Sequence, residues 1–168
     1  MRIDQLAYRA LNPVHARDPL SGEGARIEPK RFNPPGTAAL YTSLDPLTAL
    51  NELCEAGSPL EPTLVVSVRV TAEPVFDAAE GPVAARGYAL RDLLADDWAD
   101  RTDGRLPLSQ AFARALIDEG FAGLRVRSCA PGAGEGSLNL VLWRWAGRGG
   151  ARVDLVDTEG RIAALPKG

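Results

Sequence analysis

The stretch RFNPPGTAALYTSLDPLTALNE, residues 31–52, holds a turn, a strand and a helix start in succession, and the rest of the chain reads outward from it. Pro34 and Pro35 form a fixed-φ pair, and Gly36 behind them is free to take φ > 0, which makes a rigid turn. The short apolar run that follows closes on Tyr41. Asp45-Pro46 is an N-cap with proline at the first helical position, so a helix carrying Glu52 starts only a few residues after the tyrosine. A guanidinium from Arg31, a phenol and a carboxylate can therefore be held together by one tight turn and two stiff elements, the pre-organisation an active site requires.

Upstream, Ile3 to Leu11 mixes apolar and polar residues in a strand-like way and ends at Asn12-Pro13, and residues 16–29 read as an irregular loop. In the helix after Asp45, Leu47, Leu50, Leu53 and Cys54 share one side by helical period. Glu52 falls off that stripe beside Thr48 and Glu55, so spacing alone describes a solvated glutamate. Thr63 to Val70 is β-branched and reads as a strand central to a sheet. Helices are predicted over Leu90 to about Ala99 and over Leu108 to Glu119, the second closed by Gly120 as a C-cap. Strands follow at Phe121 to Arg127 and Leu138 to Trp145, around a loop over 130–136. Arg152 to Val156 and Arg161 to Leu165 flank Asp157-Thr-Glu-Gly160 like a closing hairpin. Strands outnumber helices in a mixed order, which favours a layered α+β domain with mixed, curved sheets and flanking helices over a doubly wound one. No repeat or linker interrupts the chain. One domain over residues 1–168 is expected, with its core over about 3–145 and the hairpin over about 150–166.

A chain of 168 residues is long enough to bury roughly two-thirds of its unfolded surface without staples. Its two cysteines, Cys54 and Cys129, fit neither a disulfide framework nor a metal spacing, and buried reduced thiols are expected. With no basic-then-apolar leader and no run of about 20 apolar residues, a cytoplasmic protein that meets no membrane is expected. A net charge of −3 and a pI near 5.2 argue against direct nucleic-acid binding. Arginines can still grip a small anion, as they do carboxylates and phosphates.

The familiar catalytic signatures are missing. There is one histidine, His15, and no HExxH, nucleophile elbow, Walker loop or dinucleotide fingerprint. The run Gly132-Ala-Gly-Glu-Gly136 lies between strands, without a helix N-terminus to bind an anion. What remains is a set of Arg, Tyr, Glu and Ser. Such a set suits cleavage at an anomeric carbon, where a carboxylate stabilises the positive charge that develops on the sugar. In NAD the leaving group is already cationic, so it departs as neutral nicotinamide with no general acid, and neither a metal nor a bound cofactor is called for.

The same residues resemble a known family. Lys30-Arg31 through Glu52 is similar to the central motif of RES-domain proteins, the toxins of RES–Xre toxin–antitoxin modules. Tyr8-Arg9, Asp18-Pro-Leu-Ser-Gly-Glu-Gly-Ala25, Gly123-Leu-Arg-Val-Arg-Ser128 and Asn139-Leu-Val-Leu-Trp143 resemble further parts of its pattern in order, so that the likeness runs from the first strand to Trp145. Pro29-Lys30 and Phe32 stand where the family often has glycines and a tryptophan. The resemblance implies an ADP-ribosyltransferase-like fold, cleavage of the nicotinamide–ribose bond of NAD, and an Xre-type helix-turn-helix antitoxin that covers the active site. It also implies roles for residues. Glu52 would stabilise the oxocarbenium-like ribose or hold its hydroxyl, Arg31 and Arg9 would bind phosphates, Tyr41 would stack near nicotinamide, and Ser128 would position the substrate. Water or inorganic phosphate could accept the ADP-ribosyl group. Transfer onto a host protein would use the same pocket, and a non-catalytic binding module is the third reading. Each side chain also has an ordinary alternative: a surface ion pair for the arginines, a core strand for the tyrosine, a turn cap for the serine.

Overall fold

The computed structural model describes residues 1–53, 61–95, 105–147 and 150–165. Its elements in chain order are β1 (Ile3–Leu11), α1 (Glu23–Ile27), β2 (Leu40–Ser43), α2 (Pro46–Asn51), β3 (Leu64–Ala72), β4 (Val75–Asp77), α3 (Leu90–Leu94), α4 (Leu108–Asp118), β5 (Gly123–Arg127), β6 (Leu138–Leu142) and β7 (Ala151–Leu155), with short 3-10 turns at Pro13–His15 and Ala84–Arg86. The strands form one mixed seven-stranded sheet in the order β4-β5-β6-β2-β1-β3-β7. Only the β4–β5 pair is parallel; the remaining neighbours are antiparallel. The fold class is α+β.

Two halves of this sheet meet narrowly. β1 pairs with β3 along its whole length, from Ile3 opposite Ala72 to Leu11 opposite Leu64, whereas β1 and β2 share the single register pair Tyr8 and Ser43. Side chains alternate between faces along a strand, so each face gathers its own core. On one face Ala7 and Leu11 pack with Val66, Val68, Leu40 and Leu142. On the other, Leu124, Val126 and Val141 lie under Phe112 and Leu116 of α4, Leu93 of α3, and Phe32. α2 packs against β1, β2, β3 and β6, spanning the narrow junction.

Local chemistry sets the element ends. Pro35 and Gly36 occupy the centre of a turn closed by Thr37 N–H donating to the Pro34 carbonyl, with Gly36 at φ 77°. The Asp45 carboxylate caps α2 by accepting the Thr48 N–H at 2.8 Å, and Pro46 is its first residue. α4 buries Ser109, Phe112, Ala113 and Leu116, the helical spacing of one face. It ends where Gly120 takes φ 92°, with Phe121 N–H on the Leu116 carbonyl and Gly120 N–H on that of Ile117, the paired bonds of a Schellman cap.

Several expectations are corrected. Leu47 of α2 and Leu53, two residues beyond its end, face solvent, 65% and 49% exposed, and the helix buries Thr48 and Ala49 instead. Small residues let the helix lie close to the sheet, and the Thr48 hydroxyl can be buried because the Asp45 carboxylate accepts it. The region 16–29 contains α1, with Arg26 paired to Glu23 across one turn, rather than irregular loop alone. β3 is interior but lies next to the edge strand β7, not at the centre. β4 was absent from the sequence reading. The second arm of the C-terminal hairpin is not a strand: Asp157 accepts the N–H groups of Arg161 and Ile162 at 2.8 and 3.0 Å and holds a turn there, while β7 pairs with β3. Cys129 is exposed, not buried. Cys54, and the part of the predicted helix beyond Ala95, lie outside the described residues.

Candidate active site

Arg31 is held by a buried asparagine. Asn33 is wholly inaccessible, and all of its side-chain capacity is used: Oδ1 accepts from Lys30 N–H at 2.9 Å and from the Tyr41 hydroxyl at 2.8 Å, and Nδ2 donates to the Ala25 and Thr37 carbonyls at 2.7 and 3.0 Å. Phe32 N–H in turn donates to the Tyr41 oxygen at 3.0 Å, and Trp143 Nε1 donates to the Phe32 carbonyl at 2.8 Å. With its backbone fixed on both sides, Arg31 directs Nη1 to the Leu93 carbonyl at 3.3 Å. The phenol of Tyr41 is committed to this scaffold. Burial pushes its pKa well above the ordinary range, against the pull of the Phe32 N–H and of Arg31, so it stays a neutral donor.

Glu52 follows the last residue of α2 and caps it, its N–H donating to the Thr48 carbonyl at 3.1 Å. Its exposed carboxylate is fastened by one oxygen. Oε1 accepts the Ser128 hydroxyl at 2.5 Å and the Asn139 amide Nδ2 at 2.5 Å. Asn139 Oδ1 accepts the hydroxyl of buried Ser43 at 2.7 Å. Ser43 and Asn139 are register partners on β2 and β6, and Asn139 is opposite Val126, two residues before Ser128, so strand pairing brings these groups side by side. Ser137, the neighbouring serine, is used elsewhere, accepting the Gly134 N–H at 3.1 Å.

Arg31 and Glu52 lie close enough together to act on the same groups. Arg31 pulls the Tyr41 pKa down and Glu52 pushes it up, and the two act in the same opposed senses on the Cys129 thiol, whose pKa partial desolvation raises although the residue is exposed. Arg31, Tyr41, Glu52 and Ser128 are thereby gathered on one side of the sheet. Arg9 is not. It is next to Tyr8, the partner of Ser43, so its Cβ leaves the opposite face of β1, with Ala7 and Leu11. There burial lowers its pKa while Asp18 raises it, and Nη1 is enclosed without a hydrogen-bond partner among the described residues. The site is open: two hollows of about 380 and 260 Å³ lie elsewhere, one by Arg17, Leu155 and Ile162 and the other by Pro34, Thr37 and Arg114, while Glu52 faces solvent. The sequence assigns Asn139 and Ser43 no site role, although Asn139 is the polar residue within the otherwise apolar β6 and Ser43 closes β2.

Residues 6–164 match the sequence profile of the RES domain. The chain belongs to the RES-domain family. This RES domain is also similar in structure to the crystal structure of the M. tuberculosis MbcT–MbcA toxin–antitoxin complex, with a TM-score of 0.65 and 24% identity over 92% of this chain and 83% of that one. At that identity the likeness shows the fold. No curated protein matches this chain by sequence. Among its described residues no helix is long and apolar enough to cross a membrane, and no three His, Cys, Asp or Glu side chains are grouped to hold a metal ion.

Proposed function

We propose that this chain is the toxin of a toxin–antitoxin pair and degrades NAD by cleaving its nicotinamide–ribose bond. The observation that carries the reading is the Glu52 carboxylate, held through Oε1 by Ser128 and Asn139, with Arg31 and the Tyr41 ring in its neighbourhood. With Oε1 occupied, Oε2 is the oxygen left to face a ribose. The C1′–N bond breaks with its electron pair going to the nicotinamide nitrogen, which becomes neutral, and the charge that develops on the sugar lies against the carboxylate. Water then adds at C1′ and loses a proton, giving ADP-ribose; phosphate in its place gives ADP-ribose phosphorylated at that same carbon. Arg31 supplies the pyrophosphate grip and Tyr41 a flat wall for the leaving group.

An antitoxin of the Xre helix-turn-helix type is the partner in this reading. It is supported by the family and by the likeness to a complex described as toxin–antitoxin. It is also supported by two exposed leucines, Leu47 in the first turn of α2 and Leu53 just beyond Glu52. Incubation of the purified chain with NAD, with and without phosphate, tests the activity. Free nicotinamide with ADP-ribose or its phosphate supports it, label on protein would assign ADP-ribosyl transfer instead, and no turnover would leave a binding module.

A further inference from the structure

The hydrogen-bond chain behind Glu52 contains two side chains that do not reach the solvent-facing oxygen themselves. Ser43 Oγ donates to Asn139 Oδ1, and Asn139 Nδ2 donates to Glu52 Oε1. The order fixes the amide. Turned over, Asn139 would set a carbonyl oxygen against the carboxylate and lose its bond to Glu52, so Ser43 as donor and Glu52 as acceptor select one orientation between them. Ser43 is 2% exposed and paired in register with Asn139, so this anchor is part of the sheet, while Glu52 stands at the unsupported end of a short helix.

We infer that Asn139, oriented by Ser43, is a positioning residue that clamps Glu52 Oε1 to the sheet so that Oε2 is presented to the reacting ribose. The inference rests on the NAD-cleaving reading of the site. Ser128 alone cannot do this, because one hydrogen bond leaves the carboxylate free to rotate about it, whereas a second donor, from β6, adds a fixed direction from the sheet. Displacement of a reacting group by about 1 Å can cost on the order of a hundredfold in rate. Neither Asn139 nor Ser43 touches the substrate in this arrangement, so their loss falls on kcat.

The test is steady-state nicotinamide release by the parent chain, N139A, N139D and S43A, each checked for folding by circular dichroism and thermal melting. N139A lowers kcat by roughly 10- to 100-fold with KM nearly unchanged, and S43A lowers it by less. N139D, the same shape as asparagine, is at least as impaired as N139A because it sets a second carboxylate against Glu52; a role in packing alone would make it the milder change. In an E52Q background N139A adds little, since the group it positions is already gone. Parental kcat in N139A and S43A, or a loss confined to KM, overturns the positioning role while the NAD reading stands. A crystal structure of N139A with the Glu52 side chain unmoved overturns it as well, and keeps the test decisive if N139D does not fold. A parent chain that releases no nicotinamide overturns the NAD reading, and this role with it.

Discussion

The Tyr41 hydroxyl donates to Asn33 Oδ1 at 2.8 Å, which ties the strand entering the site to the turn that carries Arg31. The same oxygen accepts the Phe32 N–H, so removing it leaves a buried acceptor and a backbone donor short of partners. Tyr41→Phe is expected to cost about 1–3 kcal/mol of stability, read as a fall of several degrees in thermal denaturation. An unchanged melting temperature would show that the phenol does not hold this turn.

A buried and an exposed helix position give opposite expectations. Phe112 on the inward face of α4, 1% exposed, marks what burial is worth here: Phe112→Ala costs about 3–5 kcal/mol. Leu47→Asp, at a position 65% exposed, changes stability by no more than about 0.5 kcal/mol. It weakens capture by a cognate antitoxin that packs on the exposed face of α2. Chemical denaturation of both variants checks the first pair of values and a pull-down with the antitoxin the last.

How much of this could be read from sequence follows from how local the physics is. Asp45-Pro46 and Gly120 announce helix ends because capping is settled within a few residues, and Gly36 announces its turn for the same reason. β1 was legible to its ends. The inward face of α2 was not, because Thr48 becomes buriable only once Asp45 has taken its hydroxyl, a contact that hydrophobic periodicity does not count. Asn139 and Ser43 meet Glu52 through strands separated by most of the chain, and only the register of β2 on β6 reveals them. Likewise β7 found its partner in β3 rather than in the residues after Gly160, since Asp157 had turned those aside. Arg9 illustrates the converse: its motif neighbour Tyr8 is at the junction with Ser43, and one residue's shift along a strand sends the arginine to the other face.

Gly120→Ala isolates a backbone cost. No atom lies within 4 Å of the added Cβ, so the substitution meets only the left-handed backbone at φ 92°. The expected loss is about 1–2 kcal/mol, and the helix cap itself remains. A neutral or stabilising result in denaturant titration would mean that the Schellman turn is not kept in solution.

Asp77 gives the stability a pH dependence with a definite sign. Burial pushes its pKa up, but the bonds from Arg125 and from the Ala79 and Glu80 N–H groups outweigh this, and the folded-state value lies below the ordinary one. A depressed carboxylate stabilises the fold fully above its unfolded pKa, about 3.9, and that contribution is lost as pH falls through the lower folded value. Asp77→Asn should therefore be less stable than the parent at neutral pH and show a shallower loss below about pH 4. Parallel acid titrations would contradict this.

The central claim is that the Glu52 carboxylate makes this open site NAD-cleaving, and nicotinamide release by purified parent and E52Q chains tests it most directly. The account predicts release by the parent and a loss on the order of a hundred- to thousand-fold in folded E52Q. Equal rates in the two proteins would contradict it.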